Sequence, residues 1–267
     1  MKTVRAAFRM LLITVYTLLT YGVYITGYML LSLFRAPFEP WRNRFMRVWS
    51  KGMARILNMH IKTEGDPPDP PFILISNHLS YIDIVPLYVN LDCTFVAKKE
   101  VKSWPVLGPM VKTTGVVFVD RTSRKDVVRV NDRLSKSLNE YQGMVMFPEG
   151  TTSGGKGVLP FRSSLLDYPA SEKIPVCYSS ISYRTDEKGG DSPADESVCF
   201  YGARDPFHSH LVKLVSNRRI DCTIRFGSSP VKSDNRKELA QKLHAGVMSI
   251  FLPTGRSGNA YPPPPKL

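Results

Sequence analysis

Positions 10–34 pass through 25 residues without a charge, enough for a helix at about 1.5 Å per residue to cross a hydrocarbon core of roughly 30 Å. No small-x-small cleavage site follows; the run continues into Leu33-Phe34-Arg35-Ala36-Pro37-Phe38. The pattern therefore predicts an uncleaved membrane segment over 1–35, not a secretory signal. Gly22, Gly27 and the tyrosines Tyr16, Tyr21, Tyr24 and Tyr28 leave a re-entrant hairpin open beside a clean span. The period then changes. Trp41, Phe45, Trp49, Met53 and Leu57 recur every four residues, with Arg42, Arg44, Arg47, Lys51 and Arg55 between them. This is a basic amphipathic helix, and its tryptophans and cations beside a membrane segment assign 36–63 to the membrane interface, with packing on the protein's own core as the alternative.

Beyond a stiff boundary at Glu64-Gly65-Asp66-Pro67-Pro68-Asp69-Pro70-Pro71, apolar runs alternate with helical spacing. Strands are expected at 72–76, 94–97, 115–120, 144–147, 174–183, 197–201 and 222–226, several apolar throughout as strands buried on both faces should be. Val127, Val130, Leu134 and Leu138 mark a helix over 125–141 that stops at Gly143, and a second amphipathic helix is expected over 235–251. The alternation predicts an α/β fold: a single mixed-sheet domain over 64–252 flanked by helices, preceded by N-terminal membrane-anchoring helices. Residues 253–267, ending in Pro262-Pro263-Pro264-Pro265, read as a disordered tail.

Charge adds a partner class. Lysine and arginine number 36 against 23 acidic residues, a net +13, which suits a membrane surface, a nucleic acid or a phosphorylated substrate. Lys2, Arg5 and Arg9 precede the apolar run, and Arg35, Arg42, Arg44, Arg47 and Lys51 follow it. The positive-inside bias thus puts the rest of the chain on the cytoplasmic side of the inner membrane. Cys93, Cys177, Cys199 and Cys222 stand singly with no metal-ligand spacing, so buried reduced thiols are expected and neither a zinc site nor a disulfide framework.

The chemistry concentrates in Asn77-His78-Leu79-Ser80-Tyr81-Ile82-Asp83, in the connection after an expected strand. An imidazole can take a proton from a hydroxyl near neutral pH, and a carboxylate on its other nitrogen fixes the tautomer. Ser80-x-x-Asp83 is equally a capping box, so the segment alone supports a general base with its orienter or a helix start. Phe147-Pro148-Glu149-Gly150-Thr151-Thr152 joins a strand to a polar loop whose carboxylate could hold hydroxyls. Gly150-x-x-x-x-Gly155-Lys156 imitates a phosphate loop, but Gly157 replaces the magnesium-binding hydroxyl and no helix opens after it. Gly115-Val116-Val117-Phe118-Val119-Asp120-Arg121 delivers an arginine at a strand end, suited to a phosphate or to an ordinary ion pair. Lys98, Lys99 and Lys112 add cations nearby. No Gly-x-Ser-x-Gly run exists for a lipid esterase. A noncatalytic basic lipid- or nucleic-acid-binding membrane protein is the reading from a different class.

In order, Asn77-His78-x-x-x-x-Asp83, the Gly115–Arg121 segment, Phe147-Pro148-Glu149-Gly150-Thr151 and Ile174-Pro175-Val176 resemble the glycerolipid (lysophospholipid) acyltransferase family, which includes bacterial 1-acylglycerol-3-phosphate O-acyltransferases. The resemblance implies that His78 deprotonates a lysolipid hydroxyl, that Asp83 orients it, and that the oxygen attacks the thioester of acyl-CoA or acyl carrier protein without a covalent acyl-enzyme. It implies substrate contacts from Asn77, Arg121, Glu149, Gly150 and Thr151, and a Pro175 that shapes the acyl site. It also implies membrane lipid as partner, no nucleic acid, and no metal or cofactor beyond the donor. Thr152 departs from the pattern, because phosphatidic-acid-forming members commonly carry arginine there. Acceptors such as lyso-ornithine lipid therefore stay open unless Lys156 or Arg162 substitutes.

Overall fold

The computed structural model describes residues 2–103, 107–119, 124–201 and 205–254. All of the uncharged run but Phe34 lies within one uninterrupted helix, α1 (Lys2–Leu33), so the chain does not form a hairpin at its glycines. A lone glycine costs a helix only about 1 kcal/mol. Gly27 serves as a notch: the Trp41 indole fills the space that a side chain there would need.

The following helix, α2 (Glu39–Leu57), folds back on α1. Trp41 Nε1 donates to Tyr24 O at 3.1 Å, and Trp49 Nε1 donates to Thr17 Oγ1 at 3.2 Å. Met46, Met53, Ala54 and Leu57 enter the core. The stripe expected at the membrane surface is thus taken up inside the fold, where the indole N–H groups find acceptors on α1. Arg44, Lys51 and Arg55 remain exposed, whereas Arg42 is fully buried and donates to Asn43 Oδ1. Nor is 36–63 one unit, since its last residues open the strand β1 (Met59–Glu64).

The sheet continues with β2 (Ile73–Ser76), β3 (Cys93–Lys98), β4 (Val117–Val119), β5 (Gly143–Met146), β6 (Val176–Thr185) and β7 (Ile220–Phe226). The spatial order is β1-β7-β6-β2-β5-β3-β4; β6 and β7 are antiparallel and every other neighbouring pair is parallel. Between and after them lie α3 (Ile84–Asn90), α4 (Leu107–Thr113), α5 (Arg124–Ser137), α6 (Asp167–Ser171), α7 (Ala194–Ser197), α8 (Phe207–Ser216) and α9 (Arg236–Ile250). Alternate residues of one strand face opposite layers. Leu74 and Val145 pack with α2, α3 and α8, whereas Ile73, Ile75, Met144 and Met146 pack with Leu134, Leu166, Leu239 and Leu243. Both faces are covered, which is why β2 and β5 are buried at every position.

Two expectations fail here. Residues 197–201 form no strand: α7 ends at Ser197, and Val198 and Cys199 are apolar because they cover the core, not because they pair in the sheet. The domain also runs past 252, because Thr254 is buried and its N–H donates to Gly155 O at 2.6 Å; residues 255–267 lie outside the described residues.

The connections position a site. After β2 the chain enters α3 against one layer; after neighbouring β5 it reaches Leu165, Leu166 and α6 against the other. Connections that leave adjacent parallel strands toward opposite faces open a crevice at the carboxyl ends.

Candidate active site

His78 stands in that crevice, two residues past β2. Its Nδ1 lies 2.8 Å from Asp83 Oδ2, and its side chain is 23% exposed. An ionised carboxylate only accepts, so Nδ1 carries the hydrogen and Nε2 is the basic nitrogen. The ring stacks on Phe147 at 4.1 Å and 15°, which fixes the imidazole plane. Asp83, fully buried, is the first-turn carboxylate of a capping box, and its Oδ2 also takes the N–H of Leu79 at 2.8 Å and of Ser80 at 3.0 Å. Capping and orientation are therefore one arrangement: the helix start holds the carboxylate that holds the imidazole.

The loop bearing His78 is strapped from three sides. Asn77 is fully buried; its Nδ2 donates to Ile181 O at 3.0 Å and its Oδ1 accepts from Ile181 N at 2.7 Å. Ser153 N donates to His78 O at 2.8 Å, and Phe200 N donates to Leu79 O at 2.8 Å. Glu149, 3% exposed, accepts the His78 N–H at 2.7 Å on Oε1 and the Leu159 N–H at 3.0 Å on Oε2. Burial pushes its carboxyl up to about 8, against the two backbone donors and with the Asp83 charge adding to the rise. Asn77 and Glu149, expected among the substrate contacts, thus have these groups committed to backbone. Gly150, at φ +78°, supplies the left-handed turn directly after Glu149. Thr151 and Thr152 are half-buried in the same loop.

The other expected contacts separate. Pro175 is exposed beside the start of β6, where Val176 pairs with Ile73. That is the opposite end of the sheet from His78, about 13 Å below the level of Ser76 at some 3.3 Å per strand residue. Arg121 lies outside the described residues. Arg162 is exposed, its N–H on Pro148 O.

One residue went unnoticed in the sequence. Tyr183, in β6 and 1% exposed, donates its hydroxyl to Asp83 Oδ1 at 2.9 Å. It sits between Ser182 and Arg184 in a mixed polar and apolar strand, with nothing local to distinguish it from a core tyrosine. All four cysteines are free, with Cys93, Cys199 and Cys222 buried and Cys177 half-buried. Among the described residues no three His, Cys, Asp or Glu groups converge as a metal site.

The Acyltransferase family model matches residues 58–182. A lyso-ornithine lipid O-acyltransferase of Pseudomonas aeruginosa is 30% identical over 219 residues, covering 81% of this chain and 82% of that protein. This chain belongs to the acyltransferase family. A 1-acyl-sn-glycerol-3-phosphate acyltransferase of Neisseria gonorrhoeae is 28% identical over 78% of the chain and 81% of its own length. The fold of this acyltransferase is that of PlsC, the 1-acyl-sn-glycerophosphate acyltransferase of Thermotoga maritima, whose crystal structure matches with a TM-score of 0.60 at 22% identity, covering 93% of this chain and 97% of the other. In chemical terms, an imidazole held through Nδ1 at the mouth of a crevice can accept a hydroxyl proton at Nε2.

Proposed function

We propose that this membrane acyltransferase moves a fatty acyl chain from acyl-CoA or acyl carrier protein to the free hydroxyl of 1-acylglycerol-3-phosphate, giving phosphatidic acid for phospholipid biosynthesis. The observation that carries the reading is the 2.8 Å contact between His78 Nδ1 and a fully buried Asp83. His78 Nε2 takes the acceptor proton as its oxygen attacks the thioester carbonyl. The new C–O bond forms, the C–S bond breaks, and the imidazolium returns the proton to the departing thiolate. Asp83 stabilises the imidazolium, as carboxylates do in other His–carboxylate pairs. Arg121, Gly150 and Thr151 are the proposed acceptor contacts; Asn77 and Glu149 act one step back, by holding the loop.

Thr152 favours a second acceptor, lyso-ornithine lipid. An arginine at this place would make a charge-assisted contact to a phosphomonoester worth about 1.5–3 kcal/mol. A lyso-ornithine lipid O-acyltransferase of Brucella abortus is also 35% identical over 79% of this chain.

The anchor is α1, which is long and apolar enough to cross a membrane. It is nevertheless held to the domain near both ends. Arg5 and Arg9 donate to the carbonyls of Ser216 and Asn217 at the end of α8, and Tyr24 donates to Thr113 O at 2.6 Å. Phe8, Leu19, Val23 and Leu33 face outward. We therefore place α1 along the cytoplasmic leaflet of the inner membrane, with its apolar face in lipid and the crevice on the cytoplasmic side.

Incubating the membrane-bound protein with labelled acyl-CoA or acyl carrier protein and a lysolipid panel tests the reading. Acyl transfer to 1-acylglycerol-3-phosphate that vanishes in His78→Ala is expected. Undiminished transfer by that variant would overturn the mechanism.

A further inference from the structure

Each oxygen of the Asp83 carboxylate has a distinct duty. Oδ2 collects the imidazole and two backbone N–H groups, whereas Oδ1 takes the Tyr183 hydroxyl at 2.9 Å. β6 outruns β2: Ser179 is level with Ser76, the last residue of β2, and the strand continues to Thr185. That extension carries Tyr183 over the loop, while Asn77 ties the loop to Ile181 on the same stretch.

We propose that Tyr183 is a positioning residue of acyl transfer, holding Asp83 in the rotation that presents Oδ2 to His78 and moderating the charge that the imidazole meets. The role rests on His78 as the base. A base that must release its proton to a thiolate is hindered by an orienting carboxylate that holds the imidazolium too firmly. A hydrogen bond on the far oxygen draws part of that charge away.

The surroundings leave Tyr183 well suited to this. The titratable groups around Asp83, besides His78, are Tyr183 from β6, Cys222 from β7, Cys199 from the segment after α7, and Glu149 from the loop after β5. Burial drives both thiols and the phenol upward, so they stay protonated and Tyr183 remains a donor. Tyr183 is thus the side-chain hydroxyl recorded on Oδ1, one hundred positions from the carboxylate it holds.

The test uses full-length Tyr183→Phe in liposomes, assayed with acyl-CoA and the preferred lysolipid across pH. kcat is expected to fall about ten- to a hundredfold, the range for one hydrogen bond to a charged group, with both KM values unchanged. The acid limb of the kcat/KM profile is expected to move to higher pH, since an unmoderated Asp83 holds the imidazole proton more tightly. Site-specific 3-fluorotyrosine at 183, a stronger donor of nearly the same size, is expected to move that limb the other way and covers the case in which Phe impairs folding. Unmoved limbs in both variants, or a rate loss that only tracks lower thermal stability, would overturn the role. An active His78→Ala variant would overturn the underlying reading instead; an inactive one beside an unaltered Tyr183→Phe overturns the role of Tyr183 alone.

Discussion

Glu149 accepts the backbone N–H of His78 at 2.7 Å from a carboxyl that is 3% exposed. Its position in the loop after β5 therefore fixes the main chain of the residue proposed as base, and not the substrate directly. Because burial raises this carboxyl from 4.5 to about 8, the folded protein binds more protons than the unfolded chain between those values. Stability contributed by the group is present below about 4.5 and is lost as pH rises toward 8. Glu149→Gln is expected to flatten that slope in thermal unfolding measured at intervals from pH 5 to 8.5. It is also expected to cost about 1–3 kcal/mol, because the amide NH2 would face one of two backbone donors. A slope identical to wild type would show that another group sets it.

Asp83→Asn is expected to reduce kcat on the order of a thousandfold or more while leaving KM for the lysolipid unchanged. An amide in place of Oδ2 would meet the His78 Nδ1–H and two backbone N–H groups with a donor or reverse the imidazole tautomer, as happens in other His–carboxylate pairs. Steady-state kinetics on the detergent-solubilised enzyme measures it, and a loss of less than tenfold would contradict the orienting role.

Thr152→Arg is expected to raise kcat/KM for 1-acylglycerol-3-phosphate by roughly tenfold or more relative to lyso-ornithine lipid, since the new guanidinium can fork onto a phosphate. Thr152 is half-buried beside the Glu149 turn, so the arginine can reach outward without entering the core. Competition between the two labelled acceptors reads the ratio directly; an unchanged ratio would remove position 152 from the acceptor site.

Arg5 donates to Ser216 O at 2.6 and 3.0 Å, and Arg9 joins it at the end of α8. Replacing both by alanine leaves the α8 carbonyls to water and is expected to lower the melting temperature, at a cost of about 1–3 kcal/mol for two charged donors. Liposome flotation is expected to stay near wild type, because the apolar face of α1 is untouched. Loss of flotation with unchanged melting would mean that these cations bind lipid instead of α8.

Much of the molecule was legible in the sequence where the physics is local. β2 and β5 are covered on both faces, so their burial demands only short unbroken apolar runs, and these stand out in any window. His78 and Asp83 meet because they lie five positions apart across one helix start, which makes their contact a property of the segment itself. The long apolar α1 likewise follows from hydropathy alone. What the apolar stripe of α2 touches does not: Trp41 and Trp49 suit a bilayer interface and the side of α1 equally, and only the return of the chain on itself chose α1. The run 197–201 is apolar whether it pairs in a sheet or lies over a core, so its character could not be told from its composition. Pro175 lies at the other end of the sheet from His78 because register, not motif order, sets the level of a residue along a strand. Tyr183 on Asp83, Asn77 on Ile181 and Glu149 on His78 join positions 71 to 104 residues apart. The first two depend on β6 lying beside β2 and outrunning it, and the third on β5 lying on the other side of β2, consequences of how the sheet assembles that no local pattern encodes.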